Sequence, residues 1–465
     1  MKKCTALLSF LLVFALLISI LSACSSEKGQ TGEQKTTVAQ KSEAKASQTE
    51  KKPVKGKITF WTAWGEDLGP KKWVEEFNKV YPEVEVTNVL FKNTDEGNIK
   101  IDTSLLAGQE IDLFFSYSVE RYAPRVKKGL TQELTEYLAK DGIDVKKDFS
   151  PSTFQIDGKY FGLPTTSVSD AMAFNMKIFE DAKVSIPDES WTMDDYVEIS
   201  KKLTRGEGDK KIFGSCYHKD KYYWTYPARG LLGNNAWYND KGLSNFDHPA
   251  YKKSLEIKHQ LEYVAKTQMP TLELQALQMT DGDAFVKGNI GMLLFNSSRS
   301  RWLSDVKKYP RDFKVTFRPF PVLEKGQKQN YIPGMRLFGY LGMSAKSKNK
   351  DAAWAFMKWL STDGAANIAQ VGHIPTYKKT KKDDVIKIMF NEEALKTIEV
   401  DAFKKYVLDY ESPCYNDSEF TAYSQLYTIS SEEAEKALVG EKSIADAITS
   451  MKKRSDEVIT KEKGK

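Results

Sequence analysis

Residues able to do chemistry are scattered through most of this 465-residue chain. Four histidines, His218, His248, His259 and His373, are dispersed, and none has the spacing of a metal-ligand pair or an HExxH helix. There is no Gly-x-Ser-x-Gly elbow and no phosphate-cradling glycine loop. Asp281-Gly282-Asp283 lacks the rest of a calcium loop and is expected to cap the helix that follows. Paired acids for glycoside hydrolysis stay open as an alternative, because 63 acidic residues offer many candidates. One stretch differs. Trp61-Thr62-Ala63-Trp64-Gly65-Glu66-Asp67 sets flat aromatic faces beside carboxylates that accept hydrogen bonds from hydroxyls. That is chemistry for holding a ligand. No enzymatic activity, metal or cofactor is expected.

The N-terminus carries a second chemical signal. Lys2 and Lys3 precede an apolar run from Ala6 to Ile20, and Leu21-Ser22-Ala23 then lead into Cys24. The order is that of a secretory signal peptide over residues 1–23. Its ending resembles the lipobox of bacterial lipoproteins, which implies acylation of Cys24 and cleavage before it. A membrane-spanning helix is the competing reading, since the run approaches bilayer length. That helix would end on Ser-Ala-Cys with no basic stop-transfer flank. The expected location is therefore extracytoplasmic, lipid-anchored to the cell membrane.

Residues 24–56 continue with Ser, Thr, Gln, Lys and Glu and almost no large apolar side chains. Such a segment cannot bury enough surface to offset its ordering entropy and reads as a flexible tether. The remainder is too long for one hydrophobic core, so two lobes are expected. Hydrophobic residues make up 41% and aromatic residues 12%, enough for real cores. Lys and Arg (69) nearly balance Asp and Glu (63), and no basic stripe suits nucleic acid. Cys216 and Cys414 either pair outside the cell or stay as two buried thiols.

Folding is expected to start at Lys57. Ile58–Thr62 is an apolar strand, and Pro70 suits the first position of a helix whose Trp73, Phe77 and Val80 share one face. A strand near Val84–Val86, a helix near Asn98–Leu106 closed by Gly108, and a strand at Ile111–Phe115 follow. Alternation of this kind predicts parallel α/β packing. Later strands are expected at Ala171–Asn175, Gly291–Phe295 and Leu337–Met343, and helices after Trp191, over Asp351–Leu360 and from Ser430 to Ile459. Thr192 and Asp195 have capping-box spacing.

Several phrases, in order, resemble the sugar-type extracellular solute-binding proteins of ABC importers, the family of maltose-binding protein. Ala107-Gly108 through Ile111-Asp112 is similar to the family's turn into the third strand, and Gly162-Leu163-Pro164 followed by Phe174-Asn175 to its next strand. Ser190-Trp191-Thr192, Ala284-Phe285 through Gly291-Met292, Ser347-Lys348-Asn349-Lys350-Asp351-Ala352-Ala353-Trp354 and Gly372-His373-Ile374-Pro375 match later phrases. The resemblance covers roughly residues 57–460. It implies an α/β, two-lobed periplasmic-binding-protein-like fold with an interlobe ligand cleft and crossing hinge strands. One lobe would hold 57–164 plus 332–373, the other 165–331 plus 374–465. It also implies a carbohydrate ligand, delivery to the transmembrane subunits of an ABC permease, and a monomer.

Within that frame Trp61, Trp64, Glu66, Asp67, Tyr117, Asp170 and Trp224 are the candidate ligand contacts, with Ser116 beside Tyr117. Trp61 could instead fill the core, and Glu66 and Asp67 could be ordinary charges before a helix. Two departures matter. Where relatives often have Gly-x-Trp, this chain has Ser297-Ser298-Arg299, and where many have Gly-Gly it has Gly334-Met335-Arg336. Arg299 and Arg336 would either bind a planar anion, making an acidic sugar the ligand, or hold neighbouring acids.

Overall fold

The computed structural model describes residues 53–464 apart from 152, 154, 218–220, 333–335 and 410–420. The signal peptide, Cys24, nearly all of the tether, Gly334, Met335 and Cys414 lie outside the described residues.

The first sheet has six strands. β1 (Gly56–Thr62) lies between β2 (Val84–Leu90) and β3 (Leu113–Ser116), parallel to both. The helices Pro70–Asn78 and Asp95–Ala107 make those parallel crossovers. Pro70 sits at the start of the first, where its missing N–H costs nothing, and Gly108 ends the second at φ 69°. Ile58, Phe60, Trp73 and Phe77 are buried together with Phe114, Phe115 and Phe356. The Phe60 ring meets the edge of Phe356 at 5.3 Å. Each such ring contributes about 1.5–3 kcal/mol by burial. Val80, by contrast, is 59% exposed, because the helix has ended two residues earlier.

β4 (Gly162–Val168) is buried along its whole length in the first sheet. One residue later the chain enters the second sheet as β5 (Asp170–Asn175). That five-stranded sheet adds β6 (Phe213–Cys216), β7 (Gln268–Met269), β8 (Ile290–Asn296) and β9 (Val315–Arg318). The chain then returns to the first sheet as β10 (Arg336–Met343), antiparallel to both β3 and β4. β11 (Ile374–Pro375) pairs with β4, and the helix Lys382–Met389 that follows packs Val385, Ile386 and Met389 into the second lobe's core. Two α/β lobes are thus joined by strands that cross between them.

Local signals behave as their chemistry requires. Thr192 and Asp195 exchange both bonds of a capping box, worth about 1 kcal/mol. At the later helix the cap is Thr280 rather than Asp281 or Asp283. Thr280 Oγ1 accepts from the Asp283 N–H, and the Asp283 carboxylate accepts from the Thr280 N–H. The C-terminal helical region is two helices, Tyr423–Leu438 and Ile444–Lys463, broken around Gly440 at φ 82°. Cys216 is a buried free thiol, and burial pushes it well above the usual range, with Asp281 and Glu262 adding to the effect. No helix among the described residues is long and apolar enough to cross a membrane.

Candidate functional site

Three short segments meet at one junction: Ser169-Asp170 at the first crossing, Arg336 at the second, and Gly372-His373 just before β11. Asp170 opens β5 and is 2% exposed. A buried carboxylate needs donors, and it has them. The Asn296 side-chain amide donates to Oδ1 at 2.7 Å, and the Tyr226 hydroxyl to Oδ2 at 3.1 Å. The Arg336 guanidinium forms an ion pair with Oδ2.

Arg299 is paired as well. Its Nε and Nη2 donate to both oxygens of the buried Asp281 at 2.9 and 3.0 Å, a bidentate geometry. Its Nη1 donates to Ser298 Oγ at 3.2 Å, Ser298 Oγ donates to Asn296 Oδ1 at 2.7 Å, and Asn296 reaches Asp170. One hydrogen-bonded chain therefore runs from Asp281 through Arg299, Ser298, Asn296 and Asp170 to Arg336. Both arginines that depart from the expected family pattern hold neighbouring acids.

Gly372 packs on this chain from the segment just before β11. It adopts φ 75°, and a Cβ there would stand 3.0 Å from the Ser298 carbonyl oxygen. Only glycine fits both the backbone and the space. His373 next to it is 4% exposed, and its Nδ1 lies 3.2 Å from Thr166 Oγ1. Burial first, then Arg301 and Arg336, push His373 down to about 3, so the ring is neutral.

The aromatic candidates lie inside the lobes. Trp64 is 8% exposed and meets Trp73, Phe115, Tyr117 and His373 edge-on at 5.7, 5.1, 5.0 and 5.2 Å. Trp61 is buried in the same core, with Lys100 Nζ 5.9 Å from its ring. Tyr117 is buried too. Its hydroxyl oxygen accepts from the Ala63 N–H at 2.8 Å and lies 2.9 Å from Thr62 Oγ1, and burial pushes its pKa up. Ser116 is likewise occupied, accepting from Arg125 at 2.6 Å. Trp224, expected at the cleft, is 1% exposed and packs against Tyr251 at 5.9 Å in the second lobe. Large rings find more apolar contact inside a lobe than at its edge, which is why these indoles are enclosed.

Glu66 and Asp67 do face a groove. They form the first turn of a short 3-10 helix, Glu66–Leu68, and both are exposed. The groove has a volume of about 620 Å3. Its first wall carries Glu66, Asp67 and Lys71, its second carries Arg301, Ser304 and Asp305, and Gln370 and Gly372 line it too. The first wall belongs to the lobe of β1 and the second to the lobe of β8. Carboxylates, a guanidinium, a hydroxyl and an amide together can accept from and donate to hydroxyl groups. No aromatic residue is among those lining it. Arg301 escaped the sequence reading although it stands two positions from Arg299, and His373 did so although its tetrapeptide was noticed. Among the described residues no group of three His, Cys, Asp or Glu side chains is placed to hold a metal ion.

The comparisons with known proteins agree with this architecture. A profile of bacterial extracellular solute-binding proteins matches residues 64–367. The maltotriose-binding protein of Pyrococcus abyssi is 24% identical over 345 residues, covering 71% of this chain and 69% of that protein. An ABC substrate-binding protein from Listeria monocytogenes, solved with cycloalternan, superposes with TM-score 0.66 at 22% identity over 88% of this chain and 99% of its own. UgpB from Mycobacterium tuberculosis, solved with glycerophosphocholine, gives TM-score 0.66 at 14% identity over 87% and 99%. Those structural likenesses show the fold, and the profile match over most of the folded body shows the family. This chain belongs to the bacterial extracellular solute-binding protein family.

Proposed function

We propose that this protein captures a carbohydrate between its lobes and delivers it to the permease of an ABC importer, held at the outer face of the cell membrane through a lipid on Cys24. The observation that carries the reading is the groove walled by both lobes beside crossing strands. A ligand touching both walls favours the shut arrangement over the open one, and closure is then the signal a permease can read. The curated relative that binds maltotriose and the structural relative holding cycloalternan support an oligosaccharide. Monomeric action and binding without chemical change belong to the same proposal.

The ligand proposed is neutral. Asp281 and Asp170 already neutralise Arg299 and Arg336, so neither guanidinium is left over for an anion. An acidic sugar is the second reading, favoured by the placing of three arginines around one junction. A non-sugar solute is a third, favoured by the glycerophosphocholine complex of UgpB. A thermal-shift screen separates them, using neutral oligosaccharides, uronates and glycerophosphodiesters. A ligand at a hundred times its Kd stabilises by about 2.7 kcal/mol. Neutral oligosaccharides are expected to raise Tm; a rise only with uronates or phosphodiesters would replace the reading.

A further inference from the structure

Three arginines approach the junction between the lobes, and their partners differ. Arg299 is held by Asp281 and Arg336 by Asp170. Arg301 forms no ion pair with a described residue. Its Nε donates to the Ser298 carbonyl at 3.3 Å and its guanidinium lies 5.4 Å from the Trp302 ring. Burial, and then the neighbouring Arg299, push its pKa below the usual value, the signature of an uncompensated cation. Across the same groove, Glu66 and Asp67 also form no ion pair with a described residue, unlike Glu75 and Glu76 beside them, which hold Lys72.

Placement makes this arrangement consequential: Glu66 and Asp67 line the groove from one lobe and Arg301 from the other. Lys71 and Asp305 line the same two walls, so the acids and the guanidinium attract each other as a local pairing and not through net wall charge, and salt, with a Debye length of about 10 Å at 0.1 M, weakens that attraction. Closure of the lobes narrows the groove and brings its two walls together. The two sides also sit on separate lobes, so a lobe movement changes their separation.

We propose that Arg301 and the Glu66–Asp67 pair meet across the groove when the lobes shut, and that this contact sets how readily they shut. Glu66, Asp67 and Arg301 are positioning residues in this account: they act through the lobe movement. The shut groove then holds no unpaired arginine, which fits an uncharged ligand. The inference rests on the proposed capture by lobe closure, but not on which solute is captured.

The test uses no ligand. Small-angle X-ray scattering of the protein at low and at high salt reads closure as a smaller radius of gyration. Wild type is expected to be more compact at low salt. Arg301→Gln and, separately, Glu66→Gln/Asp67→Asn should lose that salt dependence, with about a two- to fivefold smaller shut population at low salt, the range of partly exposed ion pairs. The swapped variant Glu66→Arg/Arg301→Glu should recover it. A wild-type radius that ignores salt, or variants that keep the wild-type response, would overturn the proposal. A carbohydrate that fails to bind would sink the ligand assignment and leave this result standing.

Discussion

Arg336 and Asp170 stand 166 positions apart in sequence and form an ion pair that ties the second crossing between the lobes to the first. Asp170 is almost wholly buried, so its carboxylate depends on that guanidinium together with Tyr226 and Asn296. The pair lies at the pivot and not on the groove wall. Its chief consequence is mechanical.

Arg336→Gln should therefore cost stability before it costs ligand affinity. Removing one partner of a buried pair typically costs about 3–5 kcal/mol. Two neutral donors remain on Asp170 and the guanidinium is partly exposed, so about 2–3 kcal/mol is expected. Urea denaturation measures it. A loss below about 0.5 kcal/mol would show that the pair is dispensable.

Trp64→Ala should also act on the fold. Its four edge-on ring contacts come from a helix, the third strand, the residue just past that strand and the segment before β11, and cutting the indole back leaves a cavity among them. A loss of about 3–5 kcal/mol is expected for a buried Trp→Ala change. Unchanged stability with weakened ligand binding would return Trp64 to the role of an exposed platform.

His373 gives the protein a pH dependence with a definite sign. Its folded pKa is depressed from 6.5 to about 3, so between those values the unfolded chain binds a proton that the folded one refuses. Its contribution is full above about pH 6.5 and is lost as pH falls toward about 3, with a slope on the order of 1 kcal/mol per pH unit. His373→Gln should flatten the stability profile in that window. An identical slope in wild type and variant, measured by denaturation at several pH values, would place the titration elsewhere.

The lipid anchor has its own test. Cys24→Ala should abolish acylation and either release the protein or leave it unprocessed. A mature-sized variant that still partitions into detergent would show that Cys24 carries no lipid.

Local features of the fold were legible because their chemistry is local. Pro70, Gly108 and the Thr192–Asp195 box announce helix ends through neighbours in sequence. The run Ile58–Thr62 and the alternation after it foretold three parallel strands. Partnerships across the chain were not legible in the same way. Nothing near Arg299 announces Asp281, and nothing near Trp64 announces His373, which the pairing of β11 with β4 brings to it. A sequence shows a ring's type and not its neighbours, so the burial of Trp64 and Trp224 was not legible. Glu66 and Asp67 face outward, as two acids opening a short helix after a strand do. Arg301 was hidden by Arg299, whose departure from the family pattern drew attention two positions too early.

Stoichiometric capture of a carbohydrate without chemical change is read out by isothermal titration calorimetry. Titrating neutral oligosaccharides, maltotriose among them, should give saturable heats at one ligand per chain, returning to baseline after each injection. Sustained heat flow from substoichiometric protein would mean turnover, and no saturable heat from any neutral oligosaccharide would contradict the ligand assignment.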